Sequence, residues 1–401
     1  METKNLKVTL EIVTPLFLGG AEPRGVPELR APSFRGALRY WLRAALGGML
    51  GDDVETMRKE EAIVFGSAGD DTGGVSSIII RTQHDSLFPK PKQYKKQDSI
   101  TIHKAGRKIK QPTGRDYLYW SMAESGKPEK GNYQPPKQFY PPGACFDLIL
   151  ALRLGEENPD KIFKRVTVAL WLLVHLGGIG SRSRRTGGSL SVPEKVEIEG
   201  LEFYLIANNT AETAFQLGKG LKRLREFLGT PDFPHVPSVP SFEILHPDVC
   251  KIWVLGVYKS WEDAVENIGC ALRDFRTYAE PDHTNVADWL KGNPIPTVER
   301  AIFGLPLPFR YSGGGLSGSV RGRLKEPTIE RRASPLWLKV SKTANGEYAG
   351  IATLFKSAFL PANEKLYIRK DLPSITPPKS YSLVEQWIKK SFPKCQEVDY
   401  A

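Results

Sequence analysis

NPDKIFKRVTVALWLLVHLGGIGSRSRRTGGSLSVPEKVEI, residues 158–198, contains a helix, a loop and a strand in succession. Asn158 followed by Pro159 is the favoured order at a helix start: a polar N-cap, then a proline whose missing N–H falls where no intrahelical bond is lost. From there to about Leu176 the chain is apolar on most sides, so this helix is expected to be buried. Gly177-Gly178 stops it. Residues 178–189 read as a Gly/Ser/Arg loop and residues 190–198 as a strand.

The same reading extends toward the N-terminus. Residues 7–13 alternate polar and apolar and form a half-buried strand. Residues 14–32 are rich in Gly and Pro and form a loop. Ser33 caps a helix to about Leu46, closed by Gly47-Gly48, with Phe34, Leu38, Leu42 and Ala45 as its apolar stripe. Residues 75–81 (VSSIIIR) and 145–154 are further strands. The order is β-α-β-β-α-β, the ferredoxin-like, RRM-type unit of an antiparallel sheet with both helices on one face. Between its middle strands, residues 82–142 have no sustained period and are taken as a long, partly ordered basic insertion.

Past residue 205, an amphipathic helix near 212–228 leads into a proline-rich linker, 230–247. A strand follows at 249–258. Ser260 then caps a helix to about Tyr278, with Asp263 in the capping-box position. Strands near 336–340, 348–355 and 366–369 and a helix near 383–390 complete the chain. The halves echo each other: Glu61-Ala62-Ile63-Val64-Phe65-Gly66 and Glu299-Arg300-Ala301-Ile302-Phe303-Gly304 both read E-x-x-x-F-G. The expectation is an α+β protein of two ferredoxin-like (RRM-type, βαββαβ) domains in tandem, 1–205 and 206–401.

Composition narrows the function. Of 401 residues, 40% are hydrophobic, which excludes wholesale disorder. Lys plus Arg number 56 against 45 Asp plus Glu, and the net +11 argues for an anionic partner. The cysteines Cys145, Cys250, Cys270 and Cys395 form no C-x-x-C pair, so neither a disulfide scaffold nor a cysteine zinc site is expected. The N-terminus has no h-region. The most apolar stretch, 166–176, is far short of the ~20 residues that span a bilayer. A soluble protein of a reducing compartment, the cytoplasm, is expected.

Three segments suit a phosphate-bearing partner. The loop Gly178-Ile179-Gly180-Ser181-Arg182-Ser183-Arg184-Arg185-Thr186-Gly187-Gly188-Ser189 offers backbone N–H groups and arginines. It lacks the Gly-Lys-[Ser/Thr] of a P-loop and the strand-first context of a dinucleotide fold. Its other reading is a solvated turn. Arg35, Arg39 and Arg43 form a helical row that either tracks a nucleic-acid backbone or belongs to an ordinary helix whose arginines pair with Glu60, Glu61 or solvent. Residues 81–110 concentrate Lys and Arg, in a run that either binds a backbone or is merely solvated. Tyr94 and Tyr117-Leu118-Tyr119-Trp120 are able to stack on bases, although packing is the commoner role of aromatics. Catalysis finds little support. No histidine sits in an H-x-x-H frame, His175 reads as a core residue, and Asp52-Asp53 and Asp70-Asp71 read as turn formers.

Taken together, Thr14-Pro15-Leu16-Phe17-Leu18-Gly19-Gly20, Pro27-Glu28-Leu29-Arg30-Ala31-Pro32-Ser33-Phe34-Arg35-Gly36-Ala37-Leu38-Arg39 and Gly177-Gly178-Ile179-Gly180-Ser181-Arg182-Ser183-Arg184-Arg185 resemble the RAMP proteins of type III-B CRISPR–Cas (Cmr) complexes, in particular the family of their first subunit. The resemblance covers mainly residues 1–200; beyond that it rests on fold order and Arg332-Ala333-Ser334-Pro335-Leu336. The family closes its loop with Gly-aromatic-Gly, whereas this chain has Thr186-Gly187-Gly188. The resemblance implies a non-catalytic subunit that binds CRISPR RNA or single-stranded target RNA and assembles with other RAMP subunits, away from membranes and without a cofactor. The alternatives are a RAMP-type endoribonuclease, whose usual early histidine is missing here since the first is His84, and an adaptor that touches only neighbouring subunits. The expected RNA contacts are Arg24, Arg30, Arg35, Arg39, Arg43, Gly178, Gly180, Arg182, Arg184, Arg185, Lys95 and Lys96, with no catalytic or metal-binding residue.

Overall fold

A computed structural model describes residues 4–67, 74–104, 107–206, 208–229, 232–278, 280–311, 316–323 and 331–401. In chain order the first half contains β1 (Asn5–Ile12), α1 (Ala31–Leu50), α2 (Val54–Phe65), β2 (Ile78–Gln83), β3 (Lys92–Gln93), β4 (Ile100–Lys104), β5 (Arg107–Gln111), α3 (Gly114–Leu118), β6 (Gln138–Phe139), β7 (Cys145–Leu152), α4 (Pro159–His175), β8 (Leu190–Ser191), β9 (Glu197–Ile198) and β10 (Leu201–Glu202). The second contains α5 (Thr210–Leu228), β11 (Cys250–Tyr258), α6 (Trp261–Tyr278), α7 (Asp282–Leu290), β12 (Leu307–Arg310), β13 (Ser317–Arg323), β14 (Leu336–Lys342), β15 (Tyr348–Phe355), β16 (Lys365–Tyr367), α8 (Ser382–Ser391) and β17 (Gln396–Glu397). The architecture is α+β, and each half is built on a four-stranded antiparallel sheet, β2-β7-β1-β8 and β14-β15-β11-β17.

The two sheets are buried differently, and the sequence pattern follows. In β1, Leu6, Val8, Leu10 and Ile12 point into the core beneath α1 and α4, while Lys7 faces water; one covered face gives the alternation, which ends at Glu11, buried against Lys342. In the second sheet, Cys250, Ile252 and Val254 join the first half's core, while Trp253 and Leu255 pack in a second core with Val265, Ile268 and Leu272 of α6. Both faces are covered, so β11 and β15 read as nearly unbroken apolar runs, and β14 buries Lys339 and Ser341 among its apolar residues.

Several boundaries differ from the sequence reading. Helix α1 starts at Ala31, places Ser33 inside its first turn, and continues through Gly47-Gly48 to Leu50, where Gly51 takes φ +75°. The glycine pair is a notch, not a stop. A Cβ on Gly47 would lie 2.9 Å from Ile244, and one on Gly48 2.4 Å from the Leu245 carbonyl oxygen. The proline-rich segment fills that notch, with the Leu245 N–H donating to the Ala44 carbonyl at 2.9 Å, so its described part is packed structure and not a free linker. Asp53 N-caps the unforeseen helix α2 by accepting from the Thr56 N–H. The fourth strand is broken into β8 and β9 around Pro193. Asp70-Asp71 lies outside the described residues.

The insertion is organised and bridges the halves. The α3 N-terminus is capped from the second half: Gly114 and Arg115 N–H groups donate to the two oxygens of Glu266 on α6, at 2.8 and 3.0 Å. Gly114 and Gly269 touch backbone to backbone; a Cβ on Gly114 would lie 2.1 Å from the Glu266 carbonyl oxygen. The two E-x-x-x-F-G segments fall between the first helix and second strand of their sheets. Phe65 and Phe303 are buried, and Gly66 and Gly304 have φ of +71° and +115°.

Candidate nucleic-acid interface

The Gly-rich loop leaves α4 and folds flat against the segment after β1. The Ser181 N–H donates to the Phe17 carbonyl, and the Gly188 N–H to that of Pro15. Glycine is required by this closeness: a Cβ on Gly180 would lie 2.5 Å from the Phe17 oxygen, and one on Gly188 2.0 Å from that of Ile179. Gly178 is buried and Gly180 exposed. Arg182 and Thr186 take φ of +65° and +67°, the left-handed region that side chains disfavour. Thr186 is held there from several directions. Its N–H donates to Leu338 of β14 at 2.8 Å, its hydroxyl meets the Tyr119 hydroxyl of the insertion at 3.0 Å, and its carbonyl accepts from Thr14 and Ser189. The loop is thus the point where the first half, the insertion and the second half meet.

Its arginines divide by partner. Arg184 pairs with Glu243 at 2.8 Å, donates to the Ser334 carbonyl and lies over Trp337, 4.6 Å from the ring centre. Arg185 donates to the carbonyls of Phe303 (2.9 Å) and Leu336, and burial, reinforced by Arg276, pushes its pKa down to about 9, so it stays charged at neutral pH. Arg182 donates to the Ser121 hydroxyl at 2.6 Å and meets no carboxylate among the described residues.

Around Arg182 lies a cluster of cations that no carboxylate among the described residues pairs with. Arg24 donates to the carbonyl of the same Ser121 at 3.1 Å and to the Gln134 side chain at 3.0 Å. Lys137 donates to the Ser181 hydroxyl at 2.6 Å. Arg276, at the C-terminal end of α6, has a buried Nε without a hydrogen-bond partner. Burial lowers the pKa of Lys137 and of Arg182, and neighbouring cations add to it: Arg24 for the lysine, Arg276 for the arginine. No ion pair reaches Arg24, Lys137, Arg182, Arg185 or Arg276 from the described residues. Half-buried like charges raise each other's energy, and a bound anion such as a phosphate removes that penalty.

The remaining sequence candidates fall elsewhere. Arg39 and Arg43 converge on Glu61, which is 2% exposed, so that part of the row pairs with an acid as its second reading allowed. Arg35 has its Nε buried without a partner, Arg30 is exposed at the α1 start, and Lys95 and Lys96 are exposed on the insertion. Tyr94 and Tyr119 are buried, whereas Trp120 is 66% exposed. His175 is buried, bonded to the Glu202 carbonyl, and held neutral, its pKa pushed down to about 3 by burial. Asp52 accepts from the Ser241 N–H and Asp53 caps α2, both structural tasks. Lys137 and Arg276 were missed by the sequence reading, because each is a single cation in an ordinary context.

A sequence profile of the RAMP superfamily matches residues 9–191, from β1 to β8. The Cmr subunit Cmr1-2 of Pyrococcus furiosus is 30% identical over 189 residues, 92% of its length and 46% of this chain. The chain belongs to the RAMP superfamily. Within the RAMP proteins it is also similar to the Cmr subunit Cmr1-1 of P. furiosus, 28% identical over 358 residues and 88% of each chain. The crystal structure of P. furiosus Cmr1 in its apo form shares the fold of this RAMP protein, with a TM-score of 0.60, 22% identity and 99% of both chains covered. So does a chain of a type III-B Cmr-β complex bound to cognate target RNA, with a TM-score of 0.54, 14% identity, and 98% and 99% covered. This RAMP protein is a homologue of Cmr subunits of type III-B systems. No helix among its described residues is long and apolar enough to cross a membrane.

Proposed function

We propose that the chain is a non-catalytic RNA-binding subunit of a cytoplasmic type III-B ribonucleoprotein, contacting CRISPR RNA or single-stranded target RNA and docking on other RAMP subunits. The observation that carries this reading is the unneutralised cation cluster of Arg24, Lys137, Arg182 and Arg276, set between the Gly-rich loop, the insertion and α6. Phosphates are the anions that such a cluster takes in series along a chain. The RNA-bound state of a structural relative supports the choice of RNA over other anions. Each half is read as a ferredoxin-like unit. The support is that numbering the strands of either sheet by appearance gives the order 2-3-1-4, as that fold requires.

The test is filter binding of labelled single-stranded RNA to the full chain across a salt series. Engagement of those four cations gives a log K against log salt slope near −3, about 0.7 per contact. A slope near zero removes the cluster from the RNA surface. Labelled RNA incubated with the protein, with and without Mg²⁺, is expected to stay intact. Single-site cleavage abolished by one substitution in this chain would establish the endoribonuclease instead.

A further inference from the structure

We infer that Trp120 is a base-stacking platform, so that the cation cluster receives an unpaired nucleotide with its phosphate on the guanidinium groups and its base on the indole. This rests on the RNA-binding reading above and specifies its ligand. Of the chain's 8 tryptophans, Trp41, Trp171, Trp253, Trp289, Trp337 and Trp387 are buried and Trp261 is partly covered; Trp120 alone is exposed, at 66%. An exposed indole offers a free π-face on which a base can stack.

Its position states which partner. Trp120 adjoins Ser121, whose carbonyl accepts from Arg24 and whose hydroxyl accepts from Arg182. Adjacent Cα atoms are ~3.8 Å apart, so the residue that carries the indole stands at the cluster's edge. The mount is rigid. On one side the buried Tyr119 is tied to Thr186 of the Gly-rich loop, and on the other the Met122 N–H donates to the Tyr119 carbonyl at 2.7 Å. No described ring packs face to face with the indole, and the neighbouring Tyr119 is buried against Phe17. A platform held in place before binding loses little entropy on binding. Tyr133 is also exposed, at 43%, but its hydroxyl donates to Glu124, whose charge repels phosphate. A nucleotide supplies an anion and a π-face a few ångströms apart, which matches cations flanked by an indole; bases inside a duplex offer no free face.

The experiment compares wild type, Trp120→Ala and Trp120→Phe as full chains, after melts show equal stability. The probes are an oligouridylate of about ten nucleotides, matching common single-strand site sizes, its duplex, and an abasic oligomer of equal length. Trp120→Ala is expected to weaken oligouridylate binding about tenfold with an unchanged salt slope, and Trp120→Phe to restore most of it. The abasic oligomer and the duplex are expected to bind wild type and Trp120→Ala equally. Oligouridylate should quench tryptophan fluorescence in wild type but not in Trp120→Phe. Unchanged oligouridylate affinity in Trp120→Ala, with wild-type binding and salt slope intact, overturns the platform, leaves the RNA reading standing, and assigns the indole to a protein partner. Equal losses for oligouridylate and the abasic oligomer also overturn it. Absence of any salt-dependent binding by wild type defeats both readings together.

Discussion

Arg182→Gly and Arg184→Ala, two residues apart in one loop, should have opposite consequences. Removing Arg184 leaves Glu243, whose side chain is 11% exposed, without its cation. Breaking a buried pair costs about 3–5 kcal/mol, and with Arg184 itself 20% exposed the lower end applies. Losing its place over Trp337 adds about 1 kcal/mol. The total is ~4 kcal/mol. For 401 residues unfolding together at ~2.1 cal/mol/K each, that lowers the melting temperature by about 5 °C. Arg182→Gly loses the Ser121 bond, about 1 kcal/mol, and gains about as much by releasing a side chain from φ +65°. Its melting temperature should stay within about 1 °C of wild type, while the RNA salt slope shrinks by roughly 0.7. Scanning calorimetry beside filter binding, performed well below both transitions, separates the two. Glu243→Gln should reproduce much of the Arg184→Ala loss. The reasoning fails if Arg184→Ala melts like wild type and loses RNA slope, or if Arg182→Gly unfolds early with its slope intact.

Arg39→Ala removes one of two cations from the buried Glu61 and should cost about 2 kcal/mol, with RNA affinity of the folded protein unchanged; an affinity loss without a melting loss would place Arg39 on RNA. Lys339, 1% exposed in β14 and bonded to the Leu190 carbonyl, has its pKa pushed down to about 7 by burial. The unfolded chain keeps that proton up to ~10.4 and the folded one releases it, so stability should rise between pH 7 and 9. Lys339→Met should flatten the rise and stabilise the protein at pH 7, measured by urea unfolding at pH 7, 8 and 9; an unaltered slope refutes it. Gly114→Ala drives a methyl into the Glu266 carbonyl and should free α3 from α6. Limited proteolysis within residues 82–142 should accelerate severalfold, and wild-type resistance would show that the contact is dispensable.

What the sequence made legible was local. Pro159, Ser260 with Asp263, and the alternation of Leu6, Val8 and Leu10 place α4, α6 and β1 because capping and periodicity act over a few residues. Gly47-Gly48 misled because a glycine pair that ends a helix and one that admits a crossing segment are spelt alike, and only Ile244 and Leu245 decide between them. The arginine pattern of α1 was visible, but its capture by Glu61 depended on α2, a helix the reading did not contain. The cation cluster joins Arg24, Lys137, Arg182 and Arg276 from four separate segments, so no window of sequence contains it. The exposure of Trp120 beside the buried Tyr119 depends on which way a short helix docks.

The dependence of the Gly-rich loop on β14 has a consequence during synthesis. Ser189 and Val340, bonded in the finished fold, are 151 residues apart. A ribosome adding ~5–20 residues per second leaves the loop without that wall for roughly 8–30 s. Throughout this interval Thr186 lacks the Leu338 carbonyl that helps to hold its left-handed backbone. A nascent chain therefore cannot display the finished loop before its C-terminal half emerges, and whatever the loop binds must wait for that half.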